Sequence, residues 1–464
     1  MNLGIFRGRA PGEVAVVGLG KSGRSAAELL ARDGHRVYAS DAGSGPGARA
    51  AADVLATSGV DVEVGGHDLA RVARAALVVA SPGVPPDAAP LAAARSAGVP
   101  VVGEVEVALH YLPDLHYVAV TGTNGKTTTT ALVGHLLRTL GRDAVDAGNI
   151  GTPLAELALR PRPPAWAALE LSSFQLHDTP SVRPTVGVVT NLAPDHLDRY
   201  GSVDEYYADK ARLFANADAR SRWVLNGDDP AVLALPARSA RAALAGDVFT
   251  FAVAGEADAT YDRAVDALTL FGDVLLRRGE LALLGDHNVA NALAAALAVS
   301  VADTDHRTPE ARARLADALR TFRALPNRME VVGTFGGVTW INDSKATNVS
   351  STCVALDGMR QPYVLLLGGR HKGEPYTALA GPFARAGRVV LAYGEAAPVV
   401  ARDLGGSVPV EVMGRDFAEV CGRARALARP GDAVLLSPAC SSFDMFANYE
   451  ARGAAFRALA AASA

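Results

Sequence analysis

The sequence predicts an α/β protein of three domains with mostly parallel sheets. Three observations predict it. Short β-branched runs are followed by Ala- and Leu-rich helical stretches, the order that builds parallel sheets. Many of those runs end in glycine-rich or polar turns, where ligands of open parallel sheets collect. The length of 464 residues corresponds to roughly three domains at about 150 residues each. Hydrophobic residues at 49% and charged residues at 20% leave material for large cores.

Residues 1–105 form the first segment. Val14-Ala-Val-Val reads as a strand, and Gly18, Gly20 and Gly23 follow it as G-x-G-x-x-G before a helical stretch. Arg36–Asp41 is a second strand that ends in an acid, about 20 residues on. Leu77–Ala80 is a further strand running into Ser81-Pro-Gly83. This is a Rossmann-like half. Its glycines suit a pyrophosphate, and taken alone they fit NAD, FAD, a UDP-sugar or merely close packing.

Residues 106–324 form the second segment. The run Val118-Ala-Val-Thr121 stops at Gly122-Thr-Asn-Gly-Lys-Thr-Thr128, and a helix is expected from Thr128 to Leu140. Such a turn aims backbone N–H groups at an anion. Lys126 would reach the outer phosphates of a nucleotide, and the Thr127 hydroxyl suits Mg²⁺. Val120 stands where the strict G-x-x-x-x-G-K-[ST] pattern has its first glycine. A glycine turn with a surface lysine is the plainer alternative. Strands are expected at Trp166–Leu171 and Thr185–Thr190, each running into polar residues. Glu170 and His196 would thus converge on the loop and serve Mg²⁺. Otherwise Glu170 caps a neighbour and His196 is a satisfied loop histidine. Arg160–Pro164 should be an exposed loop.

Residues 325–464 form the third segment, again α/β and Rossmann-like. Strands are expected at Val338–Ile341, Tyr363–Leu367, Val389–Tyr393 and Ala433–Leu436. Three polar loops follow such strands: Asn342–Asn348, Gly368–Gly373 and Ser437–Asp444. That is more polarity than turns require. Leu325-Pro-Asn-Arg328 falls at the domain junction, where a hinge would be placed.

Composition excludes several classes. Net charge is −4 with no long basic run, so neither nucleic acid nor a membrane surface is expected as a partner. The apolar helical run Val289–Ala302 is too short for a bilayer and contains Asn291. Met1–Val17 carries Arg7 and Arg9 without a continuous apolar stretch, so no leader is expected. Cys353, Cys421 and Cys440 form no CxxC pair and read as free buried thiols of a reducing cytoplasm.

With these residues assembled, the chain resembles the Mur ligases over nearly its whole length. Thr121-Gly-Thr-Asn-Gly-Lys-Thr127 is similar to that family's variant phosphate loop, which accounts for Val120. His287-Asn-Val-Ala-Asn291, Arg328 and Asn342–Asn348 recur in the family in this order. Glu170-Leu-Ser-Ser-Phe-Gln-Leu176 and Ser437–Asp444 resemble motifs of the branch that adds D-glutamate to UDP-N-acetylmuramoyl-L-alanine in peptidoglycan synthesis. The Asp-Asn-Pro-Arg motif of the diaminopimelate- or lysine-adding branch is absent.

The resemblance implies a reaction and a set of roles. ATP phosphorylates the alanine carboxylate, and the amine of D-glutamate attacks the acyl phosphate. ATP would lie on Gly122, Thr123, Asn124, Gly125, Lys126, Thr127 and Thr128, with Asn288 and Asn291 near the adenine. Arg328, Asp343 and Lys345 would reach the nucleotide. Two Mg²⁺ ions are implied, served by Thr127, Glu170, His196 and a carbamylated Lys210. By position alone, Lys210 reads as an ordinary helix-surface lysine. Gly20, Lys21, Ser22, Gly23, Asp41 and Gly83 would hold the UDP moiety, and Asn149 would touch the muramoyl part. Thr347, Lys372, Ser442 and Tyr449 would form the amino-acid pocket, unless Ser442 merely caps the following helix. A monomer that completes its site by domain closure is expected.

Two other classes compete. An NAD-dependent oxidoreductase with a fused ATPase would respond to NADH, whereas a ligase would not. A non-catalytic nucleotide-binding regulator would have no reason to keep Lys126, Glu170, His196, Lys210 and Asp343 together. Another Mur or folylpolyglutamate-type ligase is the nearest alternative among enzymes.

Overall fold

Residues 12–196, 199–239 and 244–462 are described by a computed structural model. Much of Met1–Val17, where no leader is expected, lies outside the described residues. The described chain contains three sheets and divides into two compact units. One unit holds the residues up to Arg277 together with Asn291–Leu319. The other holds Arg278–Ala290 and the residues from Arg320 onward.

The first unit contains two sheets. One has five parallel strands in the order Asp61–Val64, Val37–Asp41, Val14–Val17, Leu77–Ala80, Val101–Gly103. All four residues of Val14–Val17 are buried. That is expected where helices cover both faces of a parallel sheet. The other sheet has nine strands. Third from one edge is His116–Thr121, flanked by Trp166–Glu170 and Val186–Val189 in parallel register. Side chains of Val118, Ala119 and Val120 are fully buried. Each of the two valines contributes roughly 1.5–3 kcal/mol by leaving water, and the alanine less.

The nine-stranded sheet extends further than the sequence suggests. Arg222–Asn226 and Asp247–Ala252 continue it in parallel, and Ala259–Asp262, Ala267–Leu270 and Asp273–Arg277 close it as an antiparallel meander. The last turn is Phe271-Gly272, with φ of 53° and 84°. The type I′ two-residue hairpin needs positive φ at both positions. Phenylalanine rarely supplies it, so the usual Asn-Gly signal is missing.

The two sheets of this unit share a core. The helix Lys21–Arg32 lies against the helix Leu154–Ala158. Arg32 donates from Nη2 to Ala158 O (2.8 Å) and from Nη1 to Leu159 O (2.7 Å). Leu29, Leu30, Val107 and Leu154 belong to one buried apolar cluster. The Gly103 N–H also donates to Asp178 O (2.7 Å).

The second unit carries a six-stranded sheet. Its order is Glu330–Phe335, Val338–Asn342, Ala433–Leu436, Tyr363–Gly368, Gly387–Tyr393, Val410–Val412, and only the first pair is antiparallel. Period-two alternation sends Val364 and Leu366 to one face with Trp340 and Phe456. Leu365 and Leu367 face the other side with Met359 and Phe383. The expected strands at Val338, Tyr363, Val389 and Ala433 are all present, within two residues at each end. Arg160–Pro163 are exposed and Pro164 is buried. Among the described residues no helix is long and apolar enough to cross a membrane.

Candidate functional site

The centre of the first unit is the turn after the strand His116–Thr121. Gly122 has φ 138° and Gly125 φ 82°. Gly125 also serves as N-cap of the helix Lys126–Thr139, which begins two residues before the expected Thr128. A Cβ on Gly122 would lie 2.0 Å from Thr190 Oγ1, and one on Gly125 would lie 2.4 Å from Asn291 Oδ1. Neither position tolerates a side chain, so glycine is required for both conformation and space. The result is a helix N-terminus aimed at the mouth of a parallel sheet, where an anion fits.

Neighbouring strand ends clamp this turn. Asn191 Oδ1 accepts from Asn124 N–H (2.9 Å), and Asn191 Nδ2 donates to Asn124 O (2.9 Å). Thr190 Oγ1 donates to the same carbonyl (2.6 Å). Thr123 Oγ1 donates to Ala193 O (3.0 Å) and lies 3.2 Å from the Tyr206 hydroxyl. Thr129 Oγ1 donates to Asn291 Oδ1 (3.1 Å), so Asn291 does meet the loop helix. Lys126 Nζ donates to Gly122 O (3.0 Å) and Thr123 O (2.7 Å).

Lys210 departs from its surface reading. Ser202 caps the helix Val203–Ala211 by accepting from Glu205 N–H. That helix carries Lys210 inward, leaving it 1% exposed. Its Nζ donates to Gly122 O (2.8 Å), the carbonyl that Lys126 also uses. It stands 4.5 Å from the Tyr206 ring centroid. Burial, and then the charge of Lys126, push its amine well below the ordinary lysine range.

Glu170 ends a strand in register with Val120. Its Oε1 accepts from Asn149 Nδ2 (2.8 Å), so it does satisfy a neighbour. Its Oε2 is buried with no hydrogen-bond partner. A buried, unsatisfied carboxylate oxygen is costly and fits a cation. His196 has φ 55° and packs edge-on to Phe174, with ring centroids 5.2 Å apart. Among the described residues no group of three or more His, Cys, Asp or Glu side chains forms a metal site. A magnesium ion that keeps water and phosphate ligands does not need one.

In the five-stranded sheet the glycine loop is tightly packed. A Cβ on Gly23 would lie 1.8 Å from Gly18 O, which explains that glycine by helix–strand approach. Asp41 Oδ2 accepts from Leu19 N–H (2.7 Å) and Oδ1 from Gly43 N–H (2.7 Å). The acid therefore braces the loop itself. Gly20, Lys21 and Gly83 are exposed, and Ser22 is half-buried. A cavity of about 370 Å³ lies beside Ser81 and Pro82, bounded across the unit by Phe174, Gln175 and Asp178. Glu104 Oε2 and Gln175 Nε2 on its wall are buried without hydrogen-bond partners.

In the second unit the three polar loops stand side by side. Asp343 Oδ2 accepts from Ser437 Oγ (2.9 Å) and Oδ1 from Met329 N–H (3.3 Å). Burial pushes its carboxyl up to about 7, against the opposing charge of Arg328. Lys345 Nζ lies 5.5 Å from the Tyr449 ring centroid. Lys372 Nζ is 3.5 Å from Thr347 Oγ1, which brings two expected pocket residues together. Arg370 N–H donates to Ser441 O (2.8 Å), joining their loops. Asn288 Nδ2 donates to Leu284 O (2.8 Å). Ser442 is buried, but it does not cap the following helix. Asn448 does, accepting from Ala451 N–H.

Sequence reading overlooked several members of these clusters. Thr190 and Asn191 sit in the same strand-end run as His196, and Tyr206 is one helical turn before Lys210. Their positions were a signal; their hydrogen-bond partners were not. Arg452, on the helix Tyr449–Ala461, gave no local signal.

A glycine-capped helix behind a parallel strand, fed by polar ends of adjacent strands, defines an α/β protein with a P-loop-type centre. Comparison with known proteins narrows the class. Residues 12–103 match the MurD-like N-terminal domain of Mur ligases, 120–299 the Mur ligase middle domain, and 327–440 the Mur ligase glutamate ligase domain. The UDP-N-acetylmuramoylalanine–D-glutamate ligase of Anaeromyxobacter dehalogenans is 44% identical, covering 96% of this chain and 97% of the relative. The protein of the same name from Acidobacterium capsulatum is 41% identical, covering 96% and 95%. The solved UDP-N-acetylmuramate–alanine ligase of Thermotoga maritima shares the fold, with TM-score 0.57 at 19% identity over 92% of this chain and 96% of that one. The chain belongs to the Mur ligase family.

Proposed function

We propose that this protein is an ATP-dependent ligase that joins D-glutamate to UDP-N-acetylmuramoyl-L-alanine in peptidoglycan synthesis, releasing ADP and phosphate. The observation that carries the reading is full-length similarity to relatives named for that reaction. The clamped phosphate loop with Lys126, Glu170 and Lys210 at its rim supports it.

A carboxylate is a poor electrophile, so its oxygen first takes the γ-phosphoryl group of ATP. The amine of D-glutamate then attacks the acyl carbon, and phosphate leaves. Backbone N–H groups at the start of the helix Lys126–Thr139, within the loop Gly122–Thr128, and the Lys126 ammonium would hold the ATP phosphates. Positioning and charge neutralisation supply most of the catalysis in such transfers. Glu170, Thr127, His196 and Lys210 are the residues for Mg²⁺, which would neutralise charge on the transferring group. The buried free Oε2 of Glu170 fits that role.

Lys210 needs a chemical change to serve a cation. As ammonium it would be a second positive charge on the carbonyl that Lys126 already uses. Its amine nitrogen can instead add to carbon dioxide and lose a proton to water. The resulting carbamate is an anionic oxygen ligand. Asn288, Asn291, Arg328, Asp343 and Lys345 are assigned to the nucleotide. Gly20, Lys21, Ser22, Gly23, Asp41 and Gly83 are assigned to the UDP moiety, with Asn149 for the muramoyl part. Thr347, Lys372, Ser442 and Tyr449 are assigned to the amino acid. The reading includes a cytoplasmic monomer with no nucleic-acid partner.

A coupled assay for ADP release tests it. ADP and phosphate should appear only when ATP, Mg²⁺, UDP-N-acetylmuramoyl-L-alanine and D-glutamate are all present, with L-glutamate a poor replacement. Equal turnover with meso-diaminopimelate, or turnover without any amino acid, overturns the assignment.

A further inference from the structure

Arg452 is 1% exposed, at the core of the second unit. Its Nε donates to Ser344 Oγ (3.0 Å), and its Nη2 donates to Ser344 O (2.8 Å) and Cys440 O (3.1 Å). Its Nη1 faces Cys440 O (3.2 Å), Gly368 O (3.4 Å) and Ser441 O (3.5 Å). Every acceptor is neutral, and among the described residues no carboxylate pairs with it directly, although the buried Asp343 carboxyl feels its charge. Burying a guanidinium with no directly paired carboxylate is expensive even when all its donors are used. A neutral side chain could fill that space at less cost, so the charge and the fork together call for an explanation.

The acceptors supply one. Ser344 stands three residues before Thr347, Gly368 four before Lys372, and Ser441 directly before Ser442. One planar side chain therefore spans the three strand-end loops that carry the amino-acid pocket. A fourth connection closes the set, because Ser344 Oγ donates to Tyr449 O (2.9 Å) at the start of the helix bearing Arg452. Gly369 is shaped for this approach. Its φ is 130°, and a Cβ there would lie 2.3 Å from Ser441 O and 3.1 Å from Arg452 Nη1.

We propose that Arg452 is a positioning residue for the incoming amino acid, fixing the spacing of Thr347, Lys372 and Ser442 through the three loops it bridges. The inference rests on the pocket assigned above. The guanidinium touches no substrate atom; it acts through the loops it bonds.

The test compares Arg452→Lys, Ser344→Ala and Lys372→Ala by KM for D-glutamate, KM for ATP, kcat and melting temperature. Arg452→Lys keeps the charge but replaces a fork with a point donor, and should raise KM for D-glutamate about tenfold or more with KM for ATP within about twofold. Ser344→Ala, which removes one acceptor and keeps the guanidinium, should raise it by about threefold. A lower melting temperature with both KM values unchanged, or with both raised equally, shows a purely structural arginine and overturns the proposal. If Arg452→Lys does not fold, an unchanged KM for D-glutamate in Ser344→Ala overturns it. Lys372→Ala separates the two readings. An effect in Lys372→Ala with none in the other two refutes Arg452 alone, and no effect in any of the three refutes the pocket as well.

Discussion

Single side chains at the phosphate loop carry the sharpest expectations. Lys126→Ala should lower turnover by roughly 10²–10³ or more, the scale of losing one preorganised donor. Its fold should change little, since the ammonium donates to carbonyls of its own turn; near-normal turnover in a phosphate-release assay would refute the nucleotide role. Lys210→Arg should be almost inactive, because guanidinium cannot become an anionic ligand. Small added carboxylates should restore part of the activity of Lys210→Ala, and an active Lys210→Arg enzyme would be fatal to the carbamate. Lys372 is exposed, so Lys372→Ala should mainly raise KM for D-glutamate by the equivalent of about 1 kcal/mol, the upper range for a solvent-screened pair. Motif residues were legible in the sequence because their spacing is local. The burial of Lys210 was not, since a lysine after Glu205-Tyr-Tyr-Ala-Asp looks like any solvated helix face. Arg452 was invisible for the opposite reason: all of its partners lie on loops or strand ends remote in the sequence, save two at Cys440 and Ser441.

At the level of elements, the helix that begins at Glu104 gives a pH expectation. Glu104 is 1% exposed and accepts from Ala155 N–H. Burial pushes its carboxyl from 4.5 up to about 7. The folded state thus holds the proton more tightly than the unfolded chain does. Its contribution to stability is complete below about pH 4.5 and declines as pH rises to about 7, by about 3 kcal/mol at most. Glu104→Gln removes this titration. Relative to the wild type, its denaturant midpoint should therefore improve between pH 5 and pH 8, and a constant difference would show that the carboxyl does not titrate in that range. Strands were read best where apolar runs are unbroken and both faces are buried, as at Tyr363–Gly368. They were missed where a short strand such as Ala259-Thr-Tyr-Asp262 alternates weakly and turns through Phe271-Gly272.

Over the whole molecule, three segments in the sequence become two units in space. The sequence shows where glycine loops and polar turns restart. It does not show that Leu29 and Leu154 will share one apolar cluster. Calorimetry should accordingly record two unfolding transitions rather than three, and a nucleotide analogue bound to the phosphate loop should shift the one belonging to the first unit. A single transition that all probes follow together would contradict that division. The seam through Arg32 and Ala158 has a practical meaning for anyone building chimaeras. A foreign N-terminal part spliced in at residue 103 would meet a helix, Leu154–Ala158, whose surface was shaped for a different partner. Such a hybrid should be poorly soluble, and exchanging that helix together with the N-terminal part should recover it. The transplantable module is therefore two stretches of chain, and a cut chosen from the linear order of motifs would divide it.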